Sequence, residues 1–128
     1  MTRQAIKTTA APAAVGPYSQ AIATHDLVFC SGQVGLDPAT GELVPGGLEA
    51  QVERVIRNLE AVLDAAGCSL ANVVKTTCFL ADINDFATFN AIYARFVPDP
   101  PPARSTFAVK ALPKSALVEI EAIAVREV

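Results

Sequence analysis

Histidine and cysteine are scarce in this chain of 128 residues, and their scarcity excludes several kinds of chemistry. The three cysteines, Cys30, Cys68 and Cys78, are odd in number and widely spaced, which argues against a disulfide framework and against a zinc site. We expect them to be reduced thiols that pack as small hydrophobic side chains. The single histidine, His25, falls at an expected turn, and one histidine makes a poor metal site. The sequence therefore predicts no metal centre and no cysteine–histidine catalytic pair.

Long apolar runs and clustered positive charge are also missing. No run approaches the roughly 18–20 apolar residues that a membrane helix needs. The ten lysines and arginines are scattered, the net charge is −3 and the pI is near 5.0, so a nucleic-acid partner is disfavoured. The N-terminus lacks the charged-then-apolar pattern of a secretory signal, and we expect a cytoplasmic location.

Apolar residues, by contrast, are abundant. They make up 52% of the chain and the mean hydropathy is +0.36, whereas average apolar usage is roughly 45–50%. Because no membrane helix absorbs this excess, burial between subunits is the simplest explanation, since obligate interfaces are more hydrophobic than ordinary surface. The length fits one domain, residues 1–128.

The hydrophobic pattern predicts an α+β fold with the order strand, strand, helix, strand, helix, strand, strand. The clearest element is a helix from Leu48 to Ala66, where apolar residues recur with a period of 3.6 and Gly67 follows as a left-handed cap. Strands are predicted over 18–24, 27–31, 73–80, 104–110 and 117–126, with a short first strand at 3–8 and a loop over 8–15. A second helix is predicted over 82–97.

The last predicted strand has two different faces. One face is apolar and can pack on the helices: Val118, Ile120, Ala122 and Ala124. The other mixes three large apolar side chains with two carboxylates: Leu117, Glu119, Glu121, Ile123 and Val125. Such a face suits a subunit contact that contains a polar site, and it equally suits an ordinary exposed sheet face with scattered aliphatic residues. The pattern leaves both interpretations open.

Neither a phosphate-binding loop nor a Ser–His–Asp set can be assembled from the sequence, and the glycine spacing does not fit a dinucleotide fingerprint. Polar residues on predicted strands remain as candidates: Tyr18, Ser31, Arg104, Thr106, Glu119 and Glu121. Arg104 stands out because the stiff lead-in Pro101-Pro102-Ala103 fixes the direction of its strand. A guanidinium matches a carboxylate through two parallel hydrogen bonds. The alternative is a surface arginine that pairs with an acidic neighbour.

Six short motifs follow one another along nearly the whole chain. They are Gly16-Pro17-Tyr18-Ser19-Gln20, Ser31-Gly32-Gln33, Val74-Lys75-Thr76-Thr77, Asn84-Asp85-Phe86, Pro102-Ala103-Arg104-Ser105 and Val118-Glu119-Ile120-Glu121-Ala122-Ile123-Ala124. Each motif is weak alone, but unrelated chains would not share six in this order and spacing. Together they resemble the Rid family (RidA, also called YjgF), and the RidA branch most closely.

This resemblance implies a chorismate-mutase-like α+β domain, with a mixed β-sheet and two helices packed on one face. It also implies a homotrimer whose sheets line a central barrel and whose active clefts lie between subunits. The implied activity is hydrolysis of 2-aminoacrylate, 2-iminopropanoate and 2-iminobutanoate to 2-oxo acids and ammonia. These reactive intermediates are released by pyridoxal-phosphate enzymes, which the hydrolysis would protect from damage. The resemblance implies no cofactor for the chain itself.

The resemblance also assigns site residues. Arg104 resembles the arginine that binds the substrate carboxylate, and Glu119 resembles the glutamate that helps to orient the attacking water. Five further positions would bind substrate or shape the same cleft: Tyr18, Ser31, Gly32, Asn90 and Thr106, the last through its backbone. Glu121 is expected to support the structure or to pair with a basic group.

The chain departs from the family pattern in two places. Thr106 stands where many RidA proteins have a cysteine, which bears on any role of that thiol, whereas a backbone contact would survive. The segment between Asn90 and Arg104 is shorter and richer in proline than in some relatives, which bears on the rim of the cleft and on substrate size.

Three other functions stay open at this point. One is a non-catalytic Rid-like module that binds small carboxylates or regulates another protein. Another is an endoribonuclease, an activity reported for some relatives, against which the acidic pI argues. The last is a chaperone-like protein that uses exposed apolar surface.

Overall fold

A computed structural model describes residues 2–127 and has six strands and two α-helices. The strands are β1 (Gln4–Ile6), β2 (Ala21–Thr24), β3 (Leu27–Val34), β4 (Val73–Leu80), β5 (Ala103–Ala108) and β6 (Val118–Val125). The helices are α1 (Gly47–Ala65) and α2 (Phe86–Tyr93), and single 3-10 turns occupy Leu70–Asn72, Ile83–Asp85 and Pro113–Ser115. The α+β prediction is confirmed.

All six strands belong to one mixed sheet with the order β1-β2-β3-β6-β4-β5. Neighbouring strands are antiparallel except β4 and β5, which run parallel. This order places β5, which carries Arg104, at one edge of the sheet, and β6, which carries Glu119, in its middle.

Helix α1 covers one face of the sheet, and two of its buried amide side chains form hydrogen bonds with the backbone next to the strands. Asn58 Nδ2 donates hydrogen bonds to the carbonyl oxygens of Val34 and Leu36, at 3.2 and 3.0 Å. Gln51 Oε1 accepts one from the backbone N–H of Leu117, at 2.8 Å, just before β6 begins. Burial of the apolar face of α1 supplies most of the packing energy, while the two amides fix where β3 ends and β6 starts.

The two faces of the sheet differ in the way that the last strand predicts. The residues of β6 that point toward the helices are buried: Val118, Ile120, Ala122 and Ala124. The opposite side, here called the open face, includes Phe29, Thr77, Phe79, Ser105, Phe107, Glu119, Glu121, Ile123 and Val125. Large side chains on the open face stay accessible in the single chain, with Phe29 43% and Phe107 53% exposed.

Most predicted boundaries hold within a few residues, and three differ for identifiable reasons. Strand β3 runs on to Val34, past the predicted end at Ser31, because a bulge between Cys30 and Gln33 lets pairing with β6 resume. Strand β2 begins only at Ala21, since residues 16–20 are held in a turn and by side-chain bonds.

The second helix is shorter than the predicted 82–97. The Asp82 carboxylate accepts a hydrogen bond from the N–H of Asn84 at 2.9 Å and caps a 3-10 turn in place of an α-helical one. Helix α2 therefore begins at Phe86 and ends at Tyr93. No helix within residues 2–127 combines the length and the apolarity needed to cross a bilayer.

Candidate active site

Arg104 lies on the helix side of the edge strand β5, paired in register with Thr76 of β4. The guanidinium carbon lies over three aromatic rings of α2, 5.0 Å from the centroid of Tyr93 and 5.7 Å from those of Phe86 and Phe89. Within residues 2–127 the ion pairs lie elsewhere, and none joins Arg104 to a carboxylate. The alternative interpretation, an arginine paired with an acidic neighbour, is therefore wrong for the described residues.

An open cavity of about 490 Å³ adjoins the guanidinium. Its other lining residues are mostly apolar: Asn90, Tyr93, Ala94, Val97, Pro98, Asp99, Pro101 and Pro102. Charge–charge attraction is stronger beside apolar walls than in bulk water. Arg104 is thus an uncommitted cation at the wall of a cavity that could hold a small anion.

Two polar atoms close to Arg104 in sequence or in space lack partners. The side-chain oxygens Asn90 Oδ1 and Thr106 Oγ1 are shielded from solvent and accept no hydrogen bond within residues 2–127. Asn90 lines the cavity beside Arg104, and Thr106 shares its strand and its face. Unpaired buried polar atoms are uncommon in proteins, and each calls for a specific explanation. Thr106 also neighbours the Cys78 thiol, whereas Asn90 Oδ1 lies at the cavity, where a polar ligand or water could donate a hydrogen bond to it.

A second cavity, of about 760 Å³, brings most of the other predicted site residues together. Tyr18, Ser31, Gly32, Glu119 and Glu121 all line it. Burial raises the pKa of the half-buried Glu119 carboxyl above its usual value, and the nearby Glu121 raises it further. Within residues 2–127 Glu121 forms no ion pair with a basic group, so the pairing half of that expectation is wrong, and a role in supporting the structure stays a prediction. The charge of Glu121 instead raises the pKa of Glu119.

Gly32 lies directly against the Glu119 carboxylate. A Cβ atom at Gly32 would overlap Glu119 Oε2 and would lie 2.9 Å from Cδ. The backbone of Gly32 is not in the left-handed region, so a side chain here would strain no backbone angle but would displace the Glu119 carboxylate. Gly32 therefore shapes the cavity by allowing the carboxylate to sit against the backbone of β3.

The chain segment that carries Tyr18 is fastened to β3. Ser31 Oγ donates a 2.6 Å hydrogen bond to the carbonyl oxygen of Ser19, and the Ser31 N–H donates one to the carbonyl oxygen of Gln20. The Tyr18 hydroxyl accepts a bond from the N–H of Val15, at 3.2 Å, and the side chain is 51% exposed. Ser31 thus hydrogen-bonds this segment to β3, while the Tyr18 side chain stays half exposed.

The structure does not bring Arg104 and Glu119 together within one chain. Arg104 points to the helix side of the sheet and Glu119 to the open face, with β4 between their strands. Two strand spacings alone separate the backbones by about 10 Å. A substrate with three or four carbon atoms could not contact both side chains of the same chain.

The cysteines offer no reactive thiol. All three are unpaired and buried, as predicted. Burial raises the pKa of Cys30 to about 12 and that of Cys78 to about 11, so both stay protonated near neutral pH. No group of three or more His, Cys, Asp or Glu side chains among residues 2–127 is arranged to hold a metal ion.

Sequence reasoning missed the aromatic wall. Phe86, Phe89 and Tyr93 all fall within the second helix predicted over 82–97, and the resemblance assigned none of them to the site. Their spacing of three and four residues does place them on one helix face, but only the structure shows that this face meets Arg104.

Comparisons with known proteins identify relatives that match nearly the whole chain. The family model described as Endoribonuclease L-PSP matches residues 8–126. A mouse protein named 2-iminobutanoate/2-iminopropanoate deaminase is 53% identical over 124 residues, which are 97% of this chain and 92% of that protein. The human protein of the same name is 47% identical over 98% of this chain and 92% of its own length.

Solved structures give the same result. RidA from an Antarctic Psychrobacter species superimposes with a TM-score of 0.92 at 48% identity and covers 96% of this chain and 99% of its own. TdcF from E. coli, solved with bound serine, has a TM-score of 0.90 at 41% identity, with 97% and 99% coverage. The chain therefore belongs to the endoribonuclease L-PSP family, the RidA family that the six ordered motifs indicated.

Proposed function

We propose that this protein hydrolyses reactive 2-imino acids, namely 2-iminopropanoate with its enamine form 2-aminoacrylate, and 2-iminobutanoate, to 2-oxo acids and ammonia. The observation that carries the proposal is the Arg104 guanidinium, which is free of any acidic partner in residues 2–127 and lies beside a largely apolar cavity. All these substrates carry a carboxylate next to the imine carbon. The names of the mouse and human relatives support the same reaction.

The active site forms between protomers of a homotrimer. Arg104 with its cavity is one half of the site, and Glu119 with Tyr18, Ser31 and Gly32 is the other half, contributed by a neighbouring copy. This arrangement is supported by the separation of the two halves on opposite faces of the sheet. It is also supported by the exposed apolar side chains of the open face, which a central barrel would bury. The whole chain acts as a single cytoplasmic domain without a cofactor.

In the proposed mechanism Arg104 binds the substrate carboxylate and so fixes the imine carbon, C2, near a water held by Glu119. Glu119 accepts a proton as the water oxygen bonds to C2, and the C=N bond becomes a C–N single bond. Glu119 returns this proton to nitrogen, which gives a carbinolamine. The hydroxyl proton of the carbinolamine then follows by the same route to nitrogen, the C–N bond breaks, and ammonia leaves as the C=O bond of the 2-oxo acid forms. A carboxyl with a raised pKa suits these proton transfers. Positioning can supply several kcal/mol, with about 7–11 kcal/mol as the ceiling. A modest contribution suffices because these imines already hydrolyse in water.

The other predicted residues have supporting roles in the same site. Asn90 Oδ1 is a free acceptor at the cavity wall and could accept a hydrogen bond from the imine nitrogen or from water. Tyr18 lines the same cavity as Glu119, and the backbone of Thr106 lies two residues from Arg104 on the same strand.

Replacement of Arg104 tests the carboxylate contact. We expect Arg104→Ala to lower kcat/KM by about 2–5 kcal/mol in transition-state binding, as for a lost charge contact. The measurement is ammonia release from freshly generated 2-iminobutanoate and 2-iminopropanoate, corrected for hydrolysis in buffer. The exposed Arg3→Ala is a matched control that should leave the rate unchanged. Near-normal turnover by Arg104→Ala would contradict the proposal.

The description of the family model keeps an endoribonuclease as the second candidate. The net charge of −3 and the scattered basic residues disfavour an RNA-binding surface. Incubation of the same preparations with RNA separates the two functions: strand cleavage that disappears in Arg104→Ala, without acceleration of imine hydrolysis, would favour the ribonuclease. If wild-type protein binds carboxylates but accelerates neither reaction, it is a non-catalytic binding module.

A further inference from the structure

We propose that Tyr93 is a positioning residue for Arg104, whose ring face holds the guanidinium in the orientation that receives a carboxylate. The inference rests on the proposed carboxylate site. It explains how the Arg104 guanidinium can be held in place without an acidic partner that would neutralise its charge. No catalytic role is assigned to Tyr93.

The aromatic rings around Arg104 all come from one face of α2. Phe86, Phe89 and Tyr93 are spaced by three and four residues, which puts their rings on the same side of the helix. That side meets β5 at Arg104, and all three rings lie within 6 Å of the guanidinium carbon. Attraction between a cation and a ring face operates at this distance.

Tyr93 is the ring nearest to Arg104, and unlike the two phenylalanines it is also held by a hydrogen bond. It is nearest to Arg104, at 5.0 Å, and it is only 5% exposed, whereas Phe86 is 39% exposed. Its hydroxyl bonds to Thr76 Oγ1 at 2.7 Å, and its ring packs against Phe89 with centroids 5.4 Å apart. Thr76 is the direct cross-strand partner of Arg104. The Tyr93 ring is therefore hydrogen-bonded to Thr76, the residue that pairs with Arg104 in the sheet, so the ring and the guanidinium are held in a fixed relation.

The contrast with the other arginines indicates what the rings achieve. Arg57 and Arg95 also lie over a ring, that of Phe96, but each of them is paired with a glutamate, at 2.7 and 2.8 Å. Arg104 has rings and no such partner among residues 2–127. A carboxylate would order the guanidinium but occupy its N–H donors, whereas a ring face orders the cation and leaves those donors free. Preorganisation of this kind strengthens binding by lowering the entropy lost when the ligand arrives.

The experiment uses the full chain and 2-oxobutanoate, a stable 2-oxo acid with the carboxylate of the proposed substrate. We expect Tyr93→Leu to raise the Kd for 2-oxobutanoate, measured by calorimetry, about tenfold, which is about 1.4 kcal/mol. The KM for 2-iminobutanoate should rise similarly, with a smaller change in kcat. Tyr93→Phe keeps the ring and should stay within about threefold of wild type.

Phe96→Leu is the matched control, because it also removes a ring that lies against arginines, in this case Arg57 and Arg95 and not Arg104. It should leave the Kd unchanged even if it lowers the melting temperature. Equal weakening by Phe96→Leu and Tyr93→Leu, or by Tyr93→Phe and Tyr93→Leu, would overturn the role of the Tyr93 ring. So would wild-type affinity in Tyr93→Leu.

If Tyr93→Leu does not fold, Phe86→Leu decides the question, because its partly exposed position should tolerate leucine. Loss of this outer ring should weaken 2-oxobutanoate about threefold, and unchanged affinity would overturn the proposal. The readout also separates the two proposals. A wild-type protein that binds 2-oxobutanoate in a Tyr93-dependent way but releases no ammonia would refute the proposed reaction and leave this inference standing.

Discussion

The Glu119 carboxyl combines three local features that set its chemistry. It is half-buried, it lies against the bare backbone of Gly32, and it has a second carboxylate, Glu121, two residues along the same strand face. Burial, and then the charge of Glu121, raise the pKa of Glu119. A general base must be ionised to accept a proton, so the proposed activity should fall as the pH drops through this raised pKa.

Removal of the Glu121 charge should therefore shift the pH profile. In Glu121→Gln the repulsion that disfavours ionised Glu119 is gone, so the pKa of Glu119 falls and the acidic limb of kcat/KM moves to lower pH. The measurement is the pH dependence of imine hydrolysis, corrected for the buffer reaction at each pH. Glu42→Gln, at an exposed position outside both cavities, makes the same charge change and should leave the limb in place. A limb that stays fixed, or moves to higher pH, in Glu121→Gln would exclude Glu119 as the titrating base.

At the level of single residues, the sequence predicted which residues belong to the site better than it predicted the surroundings of their side chains. The motifs singled out Arg104 and Glu119, and the open face of β6 could be predicted from alternation alone. The absence of an acid beside Arg104, the contact of Glu119 with Gly32 and the influence of Glu121 depend on cross-strand register and on side-chain burial. The sequence of one chain specifies neither the cross-strand register nor the burial of these side chains.

At the scale of elements, long periodic segments were predicted well and short ones were not. Helix α1 agrees closely because nineteen residues carry one apolar stripe. Helix α2 has only eight residues, and its start was misplaced because the Asp82 side chain competes for the backbone N–H of Asn84. Strand β3 outran its predicted end because a bulge cannot be recognised from alternation.

The loop over residues 8–15 was predicted correctly as a loop, yet one side chain gives it a fixed shape. The buried amide of Gln20 accepts a hydrogen bond from the Thr8 N–H at 2.7 Å and donates to the carbonyl oxygens of Thr8 and Pro12, at 3.1 and 2.8 Å. The loop leads directly into the segment that carries Tyr18. Gln20 therefore links the path of the loop to the Glu119 cavity, which Tyr18 and Gln20 both line.

Replacement of Gln20 tests this link. Gln20→Met keeps the length of the side chain but leaves buried backbone groups of the loop without partners, which should lower the free energy of unfolding by about 1–3 kcal/mol. Denaturant unfolding measures the loss, and limited proteolysis should show earlier cleavage within residues 8–15. Gln4→Met, at an exposed position on β1, is the control and should change neither. Equal stability and equal proteolysis in the two variants would show that Gln20 does not hold the loop.

At the scale of the whole molecule, the sheet separates the two halves of the proposed site. The helix side carries Arg104 and its aromatic wall, and the open face carries Glu119 with the loop residues. The resemblance assigned both residues to one cleft between subunits, and the strand order gives the physical reason, because one chain cannot supply both. In the proposed homotrimer, with sites between neighbours, each copy would contribute Arg104 to one site and Glu119 to another, which would account for this separation.

Mixed assemblies of two inactive variants test this arrangement directly. Arg104→Ala retains Glu119, and Glu119→Gln retains Arg104, so each homogeneous trimer should lack activity. In a ring of three, every trimer that contains both variants has one interface at which the intact Arg104 meets the intact Glu119. Random assembly of equal amounts makes about three quarters of the trimers mixed, so about a quarter of the wild-type activity should return.

The two variants are unfolded together, refolded, and assayed for ammonia release from 2-iminobutanoate. The control mixes Arg104→Ala with the double variant Arg104→Ala/Glu119→Gln, which can form no interface with both groups and should remain inactive. If Arg104 and Glu119 acted within the same protomer, co-refolding would restore nothing, because every protomer in the mixture lacks one of them. Recovery in the first mixture alone would therefore locate the reaction between protomers, where one copy binds the carboxylate and the next holds the water.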